Sequence, residues 1–164
     1  MSLRRAFLQK LITSDNRFIM SIKSDNAGSS ASDQFFIKTQ SGVTYLYDVT
    51  TSDGYSATGI TGDHTVTFPS GAGTYDVLIS GDFPAIEFNN IGDRLKVVEI
   101  KQFGIYGINS IDQTDAFYGL ENAIISNNAG IGNFGNVLNF NEGFRSNVLM
   151  TTFPLIDTSS GQAF

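Results

Sequence analysis

Residues Ser80 to Ala123, SGDFPAIEFNNIGDRLKVVEIKQFGIYGINSIDQTDAFYGLENA, join two kinds of sequence. Before them the chain alternates apolar and polar residues with a period of two, as antiparallel strands do. After them the alternation fails, and short apolar runs recur at wider spacing. How this stretch makes the join decides the fold.

Upstream, Phe18, Met20 and Ile22 alternate with Ile19, Ser21 and Lys23, and a loop follows over Ser24 to Ser30. Phe35 to Lys38 reads as a short strand, Ser41-Gly42 as a turn, and Tyr45, Tyr47 and Val49 as one face of the next strand. Asp53-Gly54 is the strongest hairpin signal, because glycine accepts the positive φ of such turns. Val66 and Phe68, a turn from Pro69 to Gly73, and then Tyr75, Val77 and Ile79 continue the pattern. Ile86 and Phe88, then Leu95 to Ile100 after the Gly92-Asp93 turn, extend it into the joining stretch. Short strands so closely spaced predict a β-sandwich with no room for crossover helices.

Downstream, Asp115-Ala-Phe-Tyr-Gly119 and Glu142-Gly-Phe-Arg-Ser146 each place an aromatic after an acidic and a small residue. Each is followed by an apolar run, Ala123-Ile-Ile125 and Val148-Leu-Met150, and Phe164 begins a third unit. Such units cannot bury an apolar face alone and stack on one another, with the sandwich capping one end. At the N-terminus Leu3, Phe7, Leu8, Leu11 and Ile12 fall at helical spacing, predicting a short helix or arm over residues 1–15. Its apolar face needs a partner: its own domain, another subunit or a membrane surface. The apolar run there is too short for a secretion signal, so export by that route is not expected.

The order of motifs resembles a known family. Gly73-Thr-Tyr-Asp-Val77 after a Pro/Gly turn resembles PKD-like, immunoglobulin-type sandwiches. Phe83 to Asp93, Glu99 to Gly104 and Ala116 to Gly119 resemble the junction in BspA-like surface proteins, where such a sandwich leads into irregular leucine-rich repeats of the DUF285 type. Phe153 to Gly161 resembles one unit of that repeat. Phe103 stands where a Trp is usual and Leu120 where the repeat usually carries Cys. The resemblance implies a mainly β chain: arm 1–15, PKD/Ig-like β-sandwich 16–104, leucine-rich-like repeat stub 105–164. Proteins of this kind occur on bacterial surfaces and among phage virion appendages.

Composition narrows the function. Ten Lys and Arg against sixteen Asp and Glu give a net charge of −6, which disfavours phosphate-backbone contacts, so no nucleic-acid partner is expected. With no Cys there are neither disulfides nor thiolate metal sites, and no apolar run is long enough for a transmembrane helix. Gly130, Gly132 and Gly135 form GxGxxG, but the Asn-rich chain that follows is poorly helical, so glycines turning a corner explain it better than a dinucleotide. His64 is the only histidine, and no G-x-S-x-G elbow accompanies it; an exposed turn residue is expected. Glu87, Glu99, Glu121 and Glu142 show no pairing that marks glycoside hydrolysis, and a solvated strand face is expected for the strand acids Glu87 and Glu99. Asp25, Asn26, Asp33, Asp53 and Asp63 offer hard oxygen ligands for Ca²⁺ without EF-hand spacing, and turn capping is the ordinary reading. Among the aromatics Tyr45, Tyr47, Tyr55, Tyr106, Phe117 and Tyr118, exposed tyrosines on loops are the best candidates for protein or glycan contacts.

The expectation is therefore a non-catalytic structural protein, associated with a virion as a capsid decoration or a tail or fibre component. No cofactor or metal is expected. Its assembly contacts would be Leu3, Phe7, Leu8, Leu11, Ile12, Phe153 and Phe164, its partners other virion or surface proteins, and homo-oligomerisation would cover the repeat end. The alternative is a carbohydrate- or receptor-binding adhesin module on a bacterial or viral surface, with a host-surface glycan as partner.

Overall fold

The computed structural model describes residues 15–110, 112–130, 134 and 136–151. The predicted arm contacts, Phe153 and Phe164 lie outside the described residues, as do Gly132 and Gly135 of the glycine motif. The fold is mainly β, with a six-stranded mixed sheet and a two-stranded sheet, consistent with a β-sandwich. No α-helix occurs among the described residues, and none there is long and apolar enough to cross a membrane.

The strands are β1 (Phe18–Lys23), β2 (Gln34–Ile37), β3 (Leu46–Thr51), β4 (Ser56–Ile60), β5 (His64–Thr67), β6 (Thr74–Asp82), β7 (Val97–Gln102) and β8 (Ile124–Ile125). The large sheet has the order β4-β3-β6-β1-β7-β8, and β2 pairs with β5 in the small one. The period-two pattern is realised directly. Phe18, Met20 and Ile22 of β1 are buried, as are Tyr47 and Val49 of β3 and Val77 and Ile79 of β6. Phe35, Ile37 and Val66 bring the small sheet into the same core. Phe68 stacks on Tyr75 with ring centroids 4.7 Å apart, tying that sheet to β6. Gly54 takes φ 99° in the β3–β4 hairpin, and its amide donates to the carbonyl of Thr51.

Ile86 and Phe88 depart from expectation. They are buried but lie in irregular chain, apart from a single bridge between Thr39 and Ile86. Pro84 lacks an amide for a ladder, and Asn89 and Asn90 turn the chain with φ of 43° and 55°, which asparagine tolerates better than most residues. A single 3₁₀ turn, Arg94–Lys96, then feeds β7.

β7 makes the join. On one side it is antiparallel to β1, with Met20 opposite Ile100; on the other it is parallel to β8, with Glu99 opposite Ile124 and Ile100 opposite Ile125. A parallel partner needs a long return connection. Here the described residues of 103–123 provide it without a helix. The chain then repeats the path. Amides of Phe88, Asn89 and Asn90 donate to carbonyls of Ala116, Asp115 and Tyr118 at 3.0–3.1 Å. In turn, amides of Gln113, Asp115, Phe117 and Gly119 donate to carbonyls of Asn139, Asn141, Gly143 and Arg145 at 2.7–3.1 Å. Successive passes of chain are thus stacked rungs, and in these two sets of bonds the amides point toward the following rung. Phe117 and Phe144, 27 positions apart, stack at 5.0 Å and 16° between planes.

One aromatic core runs through both regions. Tyr47 meets Phe83 at 4.8 Å, Phe18 meets Tyr106 at 4.6 Å, and Phe103 meets Phe134 at 5.7 Å. Tyr106 is fully buried and satisfied: its hydroxyl accepts the Ile86 amide at 3.1 Å and donates to Gln113 Oε1 at 2.6 Å. Gln113 Nε2 donates to the carbonyl of Pro84 at 3.0 Å and to Ser110 Oγ at 2.8 Å. This small network pins the joining stretch to the first rung.

Candidate functional site

The aromatic candidates separate by burial. Tyr45, Tyr47, Tyr106 and Phe117 are core residues, so they present no surface for a ligand; only Tyr55 and Tyr118 are partly exposed. The buried hydroxyls are used internally: Tyr45 donates to the carbonyl of Ala85 at 2.9 Å and Tyr47 to that of Gly62 at 2.7 Å. Burial pushes the Tyr45 hydroxyl up to about 12. Tyr118 carries the Arg145 guanidinium over its ring at 5.3 Å, a cation–π contact between equivalent positions of successive rungs.

His64 is not an exposed turn residue. It opens β5, half-buried, with Nε2 2.7 Å from the Tyr55 hydroxyl, and burial lowers its pKa. The turn carboxylates cap backbone and neutralise lysines. Asp63 accepts from the Thr39 amide at 2.8 Å and hydroxyl at 2.7 Å and pairs with Lys38 at 3.0 Å. Asp53 accepts from the Thr51 hydroxyl and from the Ser70 amide. Asp25 pairs with Lys23 at 2.6 Å, and Asn26 donates from Nδ2 to the carbonyl of Leu95 at 3.0 Å. Glu121 and Glu142 are engaged by Arg94 and Arg145. Glu87 sits in irregular chain rather than on a strand, its amide donating to the carbonyl of Lys38. Among the described residues no group of three or more His, Asp or Glu is arranged to hold a metal ion.

Sequence reasoning missed the most elaborate charged centre. Asp93 and Lys96 have side chains 0% and 1% exposed and lie 3.9 Å apart. The Asp93 carboxylate accepts the amides of Ser29, Ser30 and Phe36 at 2.7, 2.9 and 2.6 Å and the Ser30 hydroxyl at 2.5 Å. Desolvation pushes its pKa up, but the bonds from Ser30 and Phe36 and the Lys96 charge outweigh this and hold it below the usual carboxylate range. Lys96 Nζ donates to the carbonyls of Ser30, Ala31 and Gln34 at 2.8–3.0 Å. The ammonium therefore sits among carbonyl oxygens as a bound cation would, tethered to its own chain. Gly28 passes so close that a Cβ there would lie 2.5 Å from Asp93 Oδ1. No local sequence signal marks this pair, because Gly92-Asp93 looks like any other turn.

Glu99, like Asp82 at the end of β6, is a strand carboxylate with no hydrogen bond or ion pair among the described residues. It lies beside Ile124 on the outer face of β7 and β8, opposite the buried Ile100 and Ile125. Together with Ser126, Asn127, Asn128, Leu149 and Thr151 they line a cavity of about 510 Å³. Ser126 is held there by its amide, which donates to the carbonyl of Ile100 at 2.9 Å, extending the parallel ladder by one bond. Its Oγ accepts the Asn128 amide at 3.3 Å, leaving the hydroxyl proton to donate elsewhere. Ile124 and Leu149 are 46% and 49% exposed in this cavity. No protein-family model, curated protein or solved structure matches the chain.

Proposed function

We propose that this chain is a non-catalytic structural protein, associated with a virion, that assembles with its neighbours through protein–protein contacts. The observation that carries the reading is where the reactive side chains are spent. The histidine bonds the Tyr55 hydroxyl, and the turn aspartates and the buried Asp93–Lys96 pair serve the fold's own backbone and ion pairs. Stacked rungs joined backbone to backbone form a surface that grows by addition, which suits assembly. The resemblance to BspA-like proteins supplies the virion or cell-surface setting.

Light scattering after size exclusion, on the full chain and on a version lacking residues 1–15, tests this. A stable oligomer that dissociates on deletion supports assembly through the N-terminal residues; a monomer in both cases overturns self-assembly. A second reading, a carbohydrate- or receptor-binding adhesin module, is favoured by one observation, the polar cavity on β7 and β8 with an unpaired carboxylate.

A further inference from the structure

We infer that the cavity formed by Glu99, Ile124, Ser126, Asn127, Asn128 and Leu149 is a binding site for a neutral pyranose, the terminal sugar of a glycan. The inference rests on the second reading above and gives it a place and a ligand class.

The cavity's size suits one or two sugar rings, within the range of about 300–1,000 Å³ found for small-ligand sites. Its chemistry is what vicinal hydroxyls need. Glu99 supplies two acceptor oxygens, and the side-chain amides of Asn127 and Asn128 each supply an acceptor and two donors. Among the described residues none of these three side chains has a hydrogen-bond partner, so a ligand would not have to displace an internal bond. Ile124 and Leu149 provide an aliphatic patch of the kind that the C–H face of a pyranose covers. The residues are also well placed. Glu99 and Ile124 are fixed by the β7–β8 register, and Ser126 to Asn128 form a turn closed by the Ala129 amide on the Ser126 carbonyl at 3.0 Å. A site built on paired strands loses little freedom on binding.

Other ligand classes fit less well. A phosphate or sulfate would face Glu99 with no cation among the lining residues, in a chain of net charge −6. A metal ion would find one carboxylate. A large apolar ligand would leave Glu99 and both amides unpaired, at a cost of about 1–3 kcal/mol for each buried group.

The test is saturation-transfer NMR on the full chain with the methyl glycosides of glucose, galactose, mannose and N-acetylglucosamine. We expect transfer to ring C–H protons, with titration shifts confined to the amides of Ser126 to Asn128 and the methyls of Ile124 and Leu149. The double variant Asn127→Ala/Asn128→Ala and the variant Leu149→Glu should each weaken binding tenfold or more, while Ile91→Ser, an exposed site outside the cavity, should not. Absence of transfer from all four sugars overturns the site and leaves the adhesin reading only its receptor-binding form. Transfer that persists in the cavity variants, or shifts that map elsewhere, overturns the site alone. The wild-type shift map needs no variant, so misfolding of a mutant cannot obscure the answer. Oligomeric state tests the structural reading separately.

Discussion

Replacing Asp93 with Asn should cost about 3 kcal/mol or more of folding stability, from loss of a compensated charge in a buried site. The carboxylate accepts three backbone amides and the hydroxyls of Ser29 and Ser30, and neither its side chain nor that of Lys96 reaches solvent. Asn keeps the shape but offers one acceptor oxygen and points an NH₂ group at donors. Breaking a buried pair by removing one partner typically costs about 3–5 kcal/mol, because the other charge is left uncompensated. Of the three amides, that of Ser29 belongs to an exposed residue and can turn to water, which keeps the cost from rising further. Lys96→Met, which preserves the stem and removes the ammonium, should cost a similar amount, since the carbonyls of Ser30, Ala31 and Gln34 lose their donor. The two losses should not add: once one charge is gone, removing the other relieves a buried orphan. Urea unfolding of wild type, both single variants and the double variant measures this cycle. The pH dependence has a fixed sign. A carboxylate held low in the folded state contributes stability that is complete above its unfolded pKa and is lost as pH falls through the lower folded pKa. Wild type should therefore lose stability below the ordinary carboxylate range more steeply than Asp93→Asn. A cost under about 1 kcal/mol for Asp93→Asn, the value for an ordinary exposed turn aspartate, would refute the idea that this pair organises the loop.

Three further outcomes follow from the rungs and the joint. Asp115 has φ 57° and its pKa is raised by burial, by Glu142 on the next rung and by Asp112. Asp115→Asn keeps the tolerance for positive φ and removes like-charge repulsion, so it should raise stability by about 0.5 kcal/mol near neutral pH. Wild type should close that gap as pH falls through the raised pKa, which thermal melts at several pH values would show. Gly104 and Gly130 both have positive φ, 50° and 76°, but a Cβ on Gly104 would run into the carbonyls of Asn16 and Arg17 whereas Gly130 faces open space. Gly130→Ala should cost about 1–2 kcal/mol from backbone conformation alone, and Gly104→Ala clearly more, by chemical denaturation. Tyr106→Phe leaves the Ile86 amide and Gln113 Oε1 without their buried partner and should cost about 2 kcal/mol while leaving the ring packing on Phe18 and Phe134 intact.

Strand positions were legible because burial on one face imposes a period of two; Phe18, Met20, Ile22, Tyr47, Val49, Val77 and Ile79 all obey it. Which strands pair was not, since β1 lies between β6 and β7 and both neighbours are distant in sequence. The repeated Asp-Ala-Phe and Glu-Gly-Phe units were readable as stacking elements because their 27-residue spacing survives as a hydrogen-bond ladder. Ile86 and Phe88 misled because apolar alternation also describes coil packed on a core. What the sequence does not show is how the buried hydroxyls are satisfied: Tyr45 and Tyr47 find backbone carbonyls far along the chain. The cavity gave no motif at all. Glu99 meets Asn127 and Asn128 only because β8 is laid parallel to β7.

That shared strand has a mechanical corollary. β7 is bonded along both flanks, to β1 and to β8, so among the described residues the two regions are joined by a shared strand. Five steps between six strands at about 4.8 Å each set a span of roughly 24 Å from β4 to β8. A load applied at one edge of the sheet is carried to the other by hydrogen bonds and by the ring stacks beneath them rather than absorbed by bending. Anything held at the two edges would be set apart by the width of this one sheet.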